Sequence, residues 1–543
     1  MKSRTIALVF LALAAGSVSA SSLDGGESMY LPAPELKPLP GLEWSLPEYA
    51  TLDGNRLVVD VPESAYGADA MASAELPAAA FEGASGFSMS VVAQGMGIRP
   101  PQKSYLGLKF QLCCEDTSTG GKAWPNCKGK LGDFGPETIV NEAFCDGAGP
   151  DRVTLQLGLQ GTSGHVEFDL STLRFAKTGG LFRRVNEDYI VKYPERQPAP
   201  GSQRQPNLPQ GPGLAGSPER VGMGGKPLRG CMLPGRPTTE DDIETLASWG
   251  ATMARFQITR NWSAVRDNQD LAEFAAWVDS RLDNLEDVLR WADGRGMKIC
   301  VDLHVTPGGR DETREHAMFR DERFAGEFVE TWRRIASRFR GHPALYGYDL
   351  VNEPVQRGRA PIDYWTLQRR AAEAIREIDP LTPIVIESND WDSPGAYSYL
   401  SPLAMDNVIY QVHCYVPHAF THQGVAKRPR EEDGRPIVWP DPAKGWDREF
   451  LRRKLAPVIE FQKRHKCRIY VGEFSAAAWA PGADAYLRDC IALFNELGWD
   501  WTYHAFRESP VWDVEKVGPR IPEMVPADGD TQRKEALREG FGM

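Results

Sequence analysis

Two short segments of this 543-residue chain each end an apolar run in a glutamate, a residue type capable of acid, base and nucleophilic chemistry. The first segment reads Gly-Tyr-Asp-Leu-Val-Asn-Glu-Pro and contains Glu353, and the second reads Tyr-Val-Gly-Glu-Phe and contains Glu473. If both runs are strands of one parallel barrel, both side chains lie at the rim where the carboxyl ends of the strands meet. Two facing carboxyls at such a rim are the minimal apparatus for hydrolysing a glycosidic bond.

Other polar and aromatic residues stand at the ends of neighbouring apolar runs, where barrel enzymes place their functional groups. We predict that they bind substrate around the two glutamates, and in chain order they are Arg255, His304, Asn352, His413, Tyr415 and Trp501. Each has an ordinary structural explanation when it is taken alone, such as an ion pair or a packed ring. Together with the glutamates they end six different runs, and this indicates one common site.

The elements that must position these residues are apolar runs alternating with amphipathic stretches. Eight runs are present: Leu228–Leu233, Thr252–Ile258, Lys298–His304, Leu345–Pro354, Pro383–Ser388, Asn407–Tyr415, Arg468–Ser475 and Trp499–Phe506. The helical stretches include Thr239–Trp249, Phe274–Gly294, Arg323–Arg340, Tyr364–Ile378, Arg448–His465 and Ala483–Leu497. A capping box of Thr238 with Asp241 is expected to open the first helix. Eight strands alternating with helices predict an α/β domain with the (β/α)8 TIM-barrel fold over residues 227–543.

An open, doubly wound sheet is the alternative arrangement for such an alternation. A sheet of that type usually carries a glycine-rich first turn that binds a nucleotide, and no G-x-G-x-x-G segment opens a predicted helix of this chain. The closed barrel is therefore favoured.

The motifs of the two glutamates resemble those of glycoside hydrolase family 5, the cellulase family of retaining (β/α)8 glycosidases. Asn352-Glu353-Pro354 matches the Asn-Glu-Pro motif of the family, and Gly472-Glu473-Phe474 matches its nucleophile strand. The resemblance covers residues from about 228 to 506. It implies Glu353 as the acid/base, Glu473 as the nucleophile and Asn352 as the partner of the sugar 2-hydroxyl.

The same resemblance implies roles for the other residues at strand ends. They are Arg255 beside the nucleophile, His304 after the third strand, His413 and Tyr415 on the sixth, and Trp501 as the aromatic floor. Trp499 and Tyr503 are close enough in sequence to leave the position of that ring open. The implied activity is retaining hydrolysis of a β-linked polysaccharide, and we expect an endo-β-1,4-glucanase. A β-mannanase, another β-glucan or exo-acting hydrolase, and a polysaccharide-binding protein without catalysis remain alternatives.

The first third of the chain has a different pattern, which predicts an all-β domain over residues 23–195. Residues 105–112 and 153–160 alternate apolar with polar side chains, as strands with one buried face do. The second run and the strand after it resemble the closing strands of jelly-roll carbohydrate-binding modules. We therefore predict a jelly-roll-like sandwich. Sugar binding and a structural role are both open, because only two of the 15 tryptophans, Trp44 and Trp124, fall in this region.

Two other segments are predicted to lie outside the folded domains. Residues 1–20 have the layout of a secretory signal peptide, in which Lys2 and Arg4 precede the apolar run Ile6–Ala15 and small residues follow. The apolar run is shorter than the ~20 residues of a membrane span. We therefore expect a secreted protein, extracellular or periplasmic, without membrane insertion. Residues 196–226 are rich in Pro, Gly, Gln and Ser and predict a linker.

Charge and missing motifs disfavour other functions. The formal net charge is −12, and removal of residues 1–20 with their two basic side chains makes it −14, so nucleic acid is not an expected partner. No G-x-S-x-G elbow and no G-x-x-x-x-G-K-[ST] loop is present. We expect a monomer that requires no cofactor and acts on a polysaccharide, either β-glucan or β-mannan.

The nine cysteines fall into two groups. Four cluster in the first third, where export would permit disulfides whose pairing is left open: Cys113, Cys114, Cys127 and Cys145. Five are expected to be buried, inert thiols: Cys231, Cys300, Cys414, Cys467 and Cys490. A metal site is disfavoured, because only His413, His418 and His422 approach the close spacing of ligands.

Overall fold

The computed structural model describes residue 30 and residues 33–178 and 227–543. Within these ranges it leaves out 83, 85, 102, 104–105, 117–120, 128, 145–150, 261–267, 312–313, 427 and 433. The predicted signal peptide, the predicted linker and Cys145 lie outside the described residues. Among the residues that are described, no helix is both long enough and apolar enough to cross a membrane.

In the described residues, the N-terminal part contains ten strands and one short helix. The strands are β1 (Lys37–Pro38), β2 (Ala50–Asp53), β3 (Arg56–Val61), β4 (Asp69–Glu75), β5 (Gly86–Ile98), β6 (Gly107–Asp116), β7 (Gly121–Ala123), β8 (Gly132–Phe144), β9 (Arg152–Gln160) and β10 (Gly164–Thr178). One sheet has the order β2-β3-β10-β5-β8 with β1 beside β10, and the other has the order β4-β9-β6-β7. All these pairings are antiparallel.

The two sheets share one apolar core, because side chains alternate between the faces of each strand. In β6, for example, Leu108, Phe110 and Leu112 are fully buried, and the odd-numbered residues of β9 from Val153 to Leu159 are buried in the same way. These observations confirm the all-β prediction for the first third of the chain. The jelly-roll connectivity and the domain bounds 23–195 stay predictions.

The C-terminal part forms a closed parallel barrel of eight strands. In chain order its strands and two small hairpins are β11 (Arg229–Met232), β12 (Met253–Gln257), β13 (Lys298–Asp302), β14 (Leu345–Asp349), β15 (Ile384–Glu387), β16 (Val408–Cys414), β17 (Glu431–Glu432), β18 (Arg435–Pro436), β19 (Arg468–Phe474), β20 (Asp500–Tyr503), β21 (Lys516–Val517) and β22 (Val525–Pro526). Strands β11–β16, β19 and β20 close the barrel, and the two hairpins lie in the loops after β16 and β20. The predicted (β/α)8 fold is confirmed. The fourth strand ends at Asp349, five residues earlier than predicted.

Helices connect the strands of the barrel. The helices of the described chain are α1 (Ala78–Phe81), α2 (Glu240–Ser248), α3 (Leu271–Asp293), α4 (Glu322–Phe339), α5 (Tyr364–Arg376), α6 (His418–Thr421), α7 (Arg448–Lys454), α8 (Ala456–His465), α9 (Ala483–Leu497) and α10 (Gln532–Phe541), besides a short turn at Asn389–Asp392. The predicted helix over 448–465 is divided at Leu455, because Pro457 has no backbone N–H with which to continue α7.

The capping box of α2 lies one residue later than predicted. Thr239 is the N-cap, and its hydroxyl accepts from the backbone N–H of Asp242, whose carboxylate accepts from the backbone N–H of Thr239 in return. Asp242 also receives two hydrogen bonds from the guanidinium of Arg236, which fixes it as the capping acid. The predicted pair of Thr238 and Asp241 does not form the cap.

Side chains inside the barrel form two layers. Toward the amino ends of the strands the interior is an apolar cluster of Leu228, Met253, Cys300, Tyr346, Val385, Ile409 and Tyr470. Toward the carboxyl ends the interior is occupied by buried charged groups, with Arg255 at their centre. The apolar layer therefore forms a floor beneath the site.

Candidate active site

Arg255 of β12 is the centre of the site, and its side chain is fully buried. Its Nε donates to Oδ2 of Asp349 at 2.8 Å, its Nη1 to Oε1 of Glu473 at 2.7 Å, and its Nη2 to Oε1 of Glu387 at 2.9 Å. Oδ1 of Asp302 lies 3.2 Å from Nη2. Burial lowers the pKa of Arg255, but the four carboxylates outweigh burial and raise it well above its usual value. The guanidinium is therefore a fixed positive charge.

Glu473 faces the interior because the pairing of β16 with β19 shifts register near the end of both strands. The shift falls between Val412 and His413, and it pairs His413 with Glu473. Gly472 permits this arrangement, since a Cβ at that position would lie 2.4 Å from the side chain of Gln411. The glycine of the Gly-Glu-Phe motif is thus needed to aim the carboxylate.

Two donors hold the carboxylate of Glu473. Arg255 binds Oε1, and the hydroxyl of Tyr415 donates to Oε2 at 2.8 Å. Burial raises the pKa of Glu473, but the positive charges of His413, His504 and Arg255 outweigh burial and lower the pKa well below its usual value. Burial and then the charge of Glu473 raise the pKa of Tyr415, so the phenol keeps its proton. Glu473 is therefore an ionised carboxylate.

Glu353 lies in the loop after β14, with a left-handed backbone at φ 50°. Its backbone N–H donates to Oε2 of Glu387 at 2.6 Å, and its side-chain Oε1 lies 3.0 Å from Nδ1 of His413. Arg310 fixes the same loop, because its Nη2 donates to the carbonyls of Asn352 and Glu353 at 3.0 and 2.8 Å. A non-glycine residue with this backbone persists only where its surroundings hold it, as they do here.

His413 lies between the two glutamates. One oxygen of Glu353, one oxygen of Glu473 and one ring nitrogen of His413 all lie within 4.8 Å of one another. Burial lowers the pKa of His413, but Glu473 and Glu353 outweigh burial and raise it to about 9. The pair of His413 and Glu353 therefore holds a proton at neutral pH.

His304 and Asn352 complete the group of predicted residues that the structure brings together. Nδ1 of His304 lies 2.8 Å from Oδ2 of Asp302, and the side chain of His304 is 11% exposed. Asn352 is 1% exposed, and its Oδ1 accepts from Nη2 of Arg255 at 3.1 Å. With Oδ1 bound in this way, the amide nitrogen of Asn352 is the group that can donate to a ligand.

Trp501 does not reach the site, so the prediction of an aromatic floor at this position is wrong. Its side chain is fully buried, with the ring stacked on Phe541 at 5.4 Å and edge-on to Phe474 at 5.5 Å. Its indole Nε1 donates to Oδ1 of Asn495 on α9. Trp501 therefore packs between the outer wall of the barrel and the helices. The two alternatives left open by the sequence are also fully buried: Trp499 and Tyr503.

His504 occupies the place near Glu473 that Trp501 was expected to fill. Side chains alternate along β20, and Thr502 faces inward, where its hydroxyl contacts the hydroxyl of Tyr470. His504 follows on the same face, with its ring centroid 6.2 Å from that of Tyr415 and its Nε2 3.4 Å from Oε2 of Glu508. Burial lowers the pKa of His504, but Glu473 and Glu508 raise it overall.

Aromatic rings extend the site outward from Tyr415. The ring of His422 lies 5.1 Å from Tyr415 and 5.1 Å from Trp512, and Trp512 lies 6.4 Å from Tyr415. His418 stacks on His422 at 4.0 Å. These rings come from the loops after β16 and β20, and rings of this kind can pack against the faces of sugars.

Four residues of the site are absent from the prediction made from sequence: Asp302, Asp349, Glu387 and His504. Each ends a barrel strand or directly follows one, which is the signal that identified Arg255 and Glu473. Glu387 in particular follows the run Ile384-Val385-Ile386. The position at the end of an apolar run could therefore have identified these four residues from the sequence.

Among the described residues, two groups of side chains have the spacing of metal ligands, and both include His413. They are Glu353 with Glu473, and Glu387 with Asp392. Nδ1 of His413 is already bound to Glu353, and the ring carries a proton because its pKa is about 9. A metal would have to displace that proton, since the neutral imidazole is the form that binds metals. The donor set therefore suits proton transfer better than metal binding.

Paired carboxylates at the rim of a (β/α)8 barrel, one ionised and one bound to a proton carrier, define a glycoside hydrolase. The family model for cellulase, glycosyl hydrolase family 5, matches residues 219–509, which are more than half of the chain. The chain belongs to this family. The matched residues include all eight barrel strands and both glutamates.

Individual proteins that are similar to this chain include glucan-degrading enzymes. Endoglucanase C of Acetivibrio thermocellus is 27% identical over 294 residues, which cover 49% of this chain and 83% of the endoglucanase. Cellodextrinase A of Ruminococcus flavefaciens is 24% identical over 238 residues, which cover 43% of this chain and 68% of the cellodextrinase. Among solved structures, Thermotoga maritima Cel5A in complex with cellobiose matches with a TM-score of 0.45 and 23% identity, covering 57% of this chain and 96% of its own.

Proposed function

We propose that this chain is a secreted, retaining endo-β-1,4-glucanase. The observation that carries the proposal is the distance within 4.8 Å between an oxygen of Glu353 and an oxygen of Glu473. Retaining enzymes hold their two carboxyls ~5 Å apart, whereas inverting enzymes hold them ~6.5–9.5 Å apart to make room for a water molecule. The names of the endoglucanase relatives support a glucan as the substrate, and membership of the cellulase family supports the β-1,4 linkage.

In the first step, Glu473 attacks the anomeric carbon and forms a covalent bond to the sugar, while Glu353 transfers its proton to the departing glycosidic oxygen. Arg255 and Tyr415 keep Glu473 ionised and oriented for this attack. His413 supplies the proton that Glu353 donates, because the two side chains share one hydrogen bond. His304 and Asn352 bind sugar hydroxyls in this proposal.

In the second step, a water molecule attacks the glycosyl-enzyme, and Glu353 takes the proton of that water. Formation of the ester with Glu473 removes one negative charge from the site, and Glu353, which has given up its proton, then acts as base. The bond between the sugar and Glu473 breaks, and Glu473 returns to its ionised form. The configuration of the anomeric carbon is retained after two inversions.

A panel of substrates tests this proposal. We expect reducing sugar to be released from carboxymethyl cellulose and mixed-linkage glucan faster than from mannan or xylan, with a rapid fall in viscosity as internal bonds are cut. Nuclear magnetic resonance of the first products should show the β-anomer. Glu473→Gln serves as the control and should release no sugar above background. An α-anomer as first product would contradict retention, and release from none of the four substrates would favour a binding protein without catalysis.

A cellodextrinase relative favours a second candidate, an enzyme that acts on short glucan chains. This candidate predicts release of soluble sugar from cello-oligosaccharides without a fall in viscosity of carboxymethyl cellulose. The ratio of viscosity loss to reducing ends separates the two candidates. A mannanase would instead give its highest rate on mannan in the same panel.

Export is the remaining element of the proposal. Residues 1–20 support it, because a basic start, an apolar run and small residues at Val18-Ser19-Ala20 are typical of a cleaved signal peptide. Expression of the full chain should release a protein into the periplasm or medium whose first residue is Ser21. Retention of residues 1–20 in a cytoplasmic product would contradict export.

A further inference from the structure

We propose that Tyr30 is a positioning residue for Glu353. The side chain of Tyr30 lies inside the loop that joins β14 to α5 and holds that loop, and the loop in turn carries Glu353. This inference rests on the proposed function, since it assigns Glu353 the role of proton donor.

Tyr30 is 3% exposed and belongs to the apolar cluster of the barrel, although it precedes the sandwich in sequence. Its hydroxyl accepts hydrogen bonds from Nε2 of Gln356 at 2.6 Å and from the backbone N–H of Ala360 at 2.9 Å. The same hydroxyl lies 3.2 Å from the carbonyl of Ala360, to which it donates. One phenol therefore satisfies three polar groups within a single loop.

Gln356 connects Tyr30 to the rest of the site. Its backbone N–H donates to Oδ1 of Asn389 at 2.8 Å, and its carbonyl accepts from Nδ2 of Asn389 at 2.8 Å. Its Oε1 accepts from the backbone N–H of Tyr364, the first residue of α5. Gln356 lies three residues after Glu353, and therefore a displacement of its side chain displaces the segment that carries the proton donor.

The loop from 350 to 363 has no regular secondary structure of its own, so its conformation depends on such contacts. Glu353 needs particular support, because its backbone is left-handed. The sandwich contacts the same loop through Arg359, whose Nε lies 3.7 Å from Oε1 of Glu142 on β8. The guanidinium of Arg359 also lies 5.0 Å from the ring of Tyr30. The N-terminal part of the chain is thus a support of the catalytic loop.

Tyr30→Phe is the sharpest test, because it keeps the buried ring and removes only the hydroxyl. The N–H of Ala360 then loses its acceptor, the carbonyl of Ala360 loses its donor, and the amide of Gln356 keeps only the carbonyl of Gly358 as acceptor, so the loop relaxes to satisfy these groups. Misplacement of the proton donor slows only those reactions that need a proton on the leaving group. We expect kcat/KM for cellotetraose, whose leaving group is a sugar alcohol, to fall roughly tenfold. The value for 2,4-dinitrophenyl β-cellobioside, whose leaving group needs no proton, should stay the same.

Hydrogen exchange provides a second readout that does not depend on turnover. The amides of Glu353 and of residues 355–357 should exchange faster in Tyr30→Phe than in wild type, while amides of the barrel strands stay protected. Gln356→Met removes the same hydrogen bond from the side of the loop, together with the side-chain bonds of Gln356 to Gly358 and Tyr364, and should give a selective loss at least as large. Tyr66→Phe is the matched control, because it deletes a hydroxyl of the sandwich that donates to the carbonyl of Pro100. It should match wild type in both assays.

Three outcomes would overturn the proposal. Unchanged exchange and unchanged kcat/KM in both variants would show that Tyr30 does not hold the loop. An equal loss on both glycosides would indicate a general defect of the protein and not a displaced proton donor. A wild-type enzyme that hydrolyses neither glycoside would reject the proposed function, and the role of Tyr30 with it. That third result differs from the first two, in which wild type is active.

Discussion

The surroundings of Glu473 and Glu353 differ in the way that each carboxylate is held. Glu473 lies within strand β19, its side chain is 6% exposed, and both of its oxygens accept from fixed donors, Arg255 and Tyr415. Glu353 lies in a loop, its side chain is 16% exposed, and its side-chain partner is a protonated His413. Two residues of the same type thus differ in chemical properties because their neighbours differ. A rigid, charge-stabilised carboxylate suits a nucleophile, and a carboxyl beside a proton carrier suits an acid/base.

The comparison is tested most severely by replacing each glutamate and changing the leaving group. Glu473→Gln should lower kcat/KM by at least about 10⁴-fold on both cellotetraose and 2,4-dinitrophenyl β-cellobioside, because no covalent intermediate forms. Glu353→Gln should lower it by ~10²–10⁴-fold on cellotetraose only. Steady-state kinetics on the two substrates measure both effects.

Azide supplies a further check on these two variants. The ion needs no general base, so it should restore turnover of the glycosyl-enzyme in Glu353→Gln and give a β-glycosyl azide. It should not give that product in Glu473→Gln, where no glycosyl-enzyme forms. The opposite pattern would exchange the roles of the two residues.

The fixed position and charge of Glu473 depend on Arg255. Arg255→Met leaves Asp302, Asp349, Glu387 and Glu473 buried without their common cation. Loss of one partner of a buried ion pair costs ~3–5 kcal/mol, and we expect a fall of that size in the free energy of unfolding. Urea denaturation monitored by tryptophan fluorescence measures it.

Arg290→Met is the matched control for that measurement. Arg290 pairs with Asp287 on the solvent side of α3, where both side chains are at least half exposed. Exposed pairs contribute little, so stability should not change measurably. Equal losses in the two variants would mean that the carboxylates around Arg255 do not depend on it.

Sequence alone predicts much of this architecture, for physical reasons. The eight barrel strands are short apolar runs buried on both faces, and such runs stand out between amphipathic helices. Helix α9 begins at Ala483 and ends at Leu497 as predicted. Arg255, His413 and Glu473 are polar residues at the ends of apolar runs. Burial of a charge at such a place requires partners, and those partners form a site.

Other features depend on tertiary contacts that no local pattern contains. The contact of Tyr30 with Ala360 joins residues 330 positions apart. The hydrogen bond from the backbone N–H of Glu353 to Glu387 joins the loop after β14 to the end of β15 and exists only once these two strands have paired. The error at Trp501 had a different cause. Side chains alternate along β20, and this alternation places Trp501 on the outer face of the barrel. The correct orientation could therefore have been predicted from the sequence.

Glu387 connects the surroundings of the two catalytic glutamates. Its Oε1 accepts from Arg255, which also binds Glu473, and its Oε2 accepts from the backbone N–H of Glu353. Gln411 also donates to Oε1. Glu387→Gln replaces one accepting oxygen with an NH2 group, so one of these donors loses its acceptor. We expect kcat/KM to fall by ~10–100-fold with KM unchanged, because misplaced catalytic groups slow the chemical step.

The substrate dependence of that loss shows which glutamate Glu387 positions more strongly. A loss confined to cellotetraose would indicate displacement of Glu353, and an equal loss on 2,4-dinitrophenyl β-cellobioside would indicate displacement of Arg255 and Glu473. Glu377→Gln is the control, since Glu377 pairs with Arg333 on the surface and is 65% exposed. Wild-type kinetics for Glu387→Gln would contradict its positioning role.

The pH dependence of activity reports on Glu353 and its partner His413. The pKa of His413 is raised to about 9, mainly by Glu473 and Glu353 against the effect of burial. A raised pKa means that the folded protein binds the proton more tightly than the unfolded chain does. The charged imidazole therefore stabilises the fold fully below pH 6.5, the ordinary value, and this contribution is lost as pH rises through about 9.

The same proton serves catalysis, so kcat/KM on cellotetraose should be level near neutral pH and should fall about tenfold per pH unit above about 9. His413→Asn removes the proton carrier and should move this basic limb to lower pH. His342→Asn should leave the limb in place, because His342 lies beside the amino end of β14, away from both glutamates.

On 2,4-dinitrophenyl β-cellobioside the first step needs no donated proton, so the fall of kcat/KM above about pH 9 should disappear. A limb that persists there would place the titrating proton on a group that serves Glu473, and would remove the distinction between the two carboxylates.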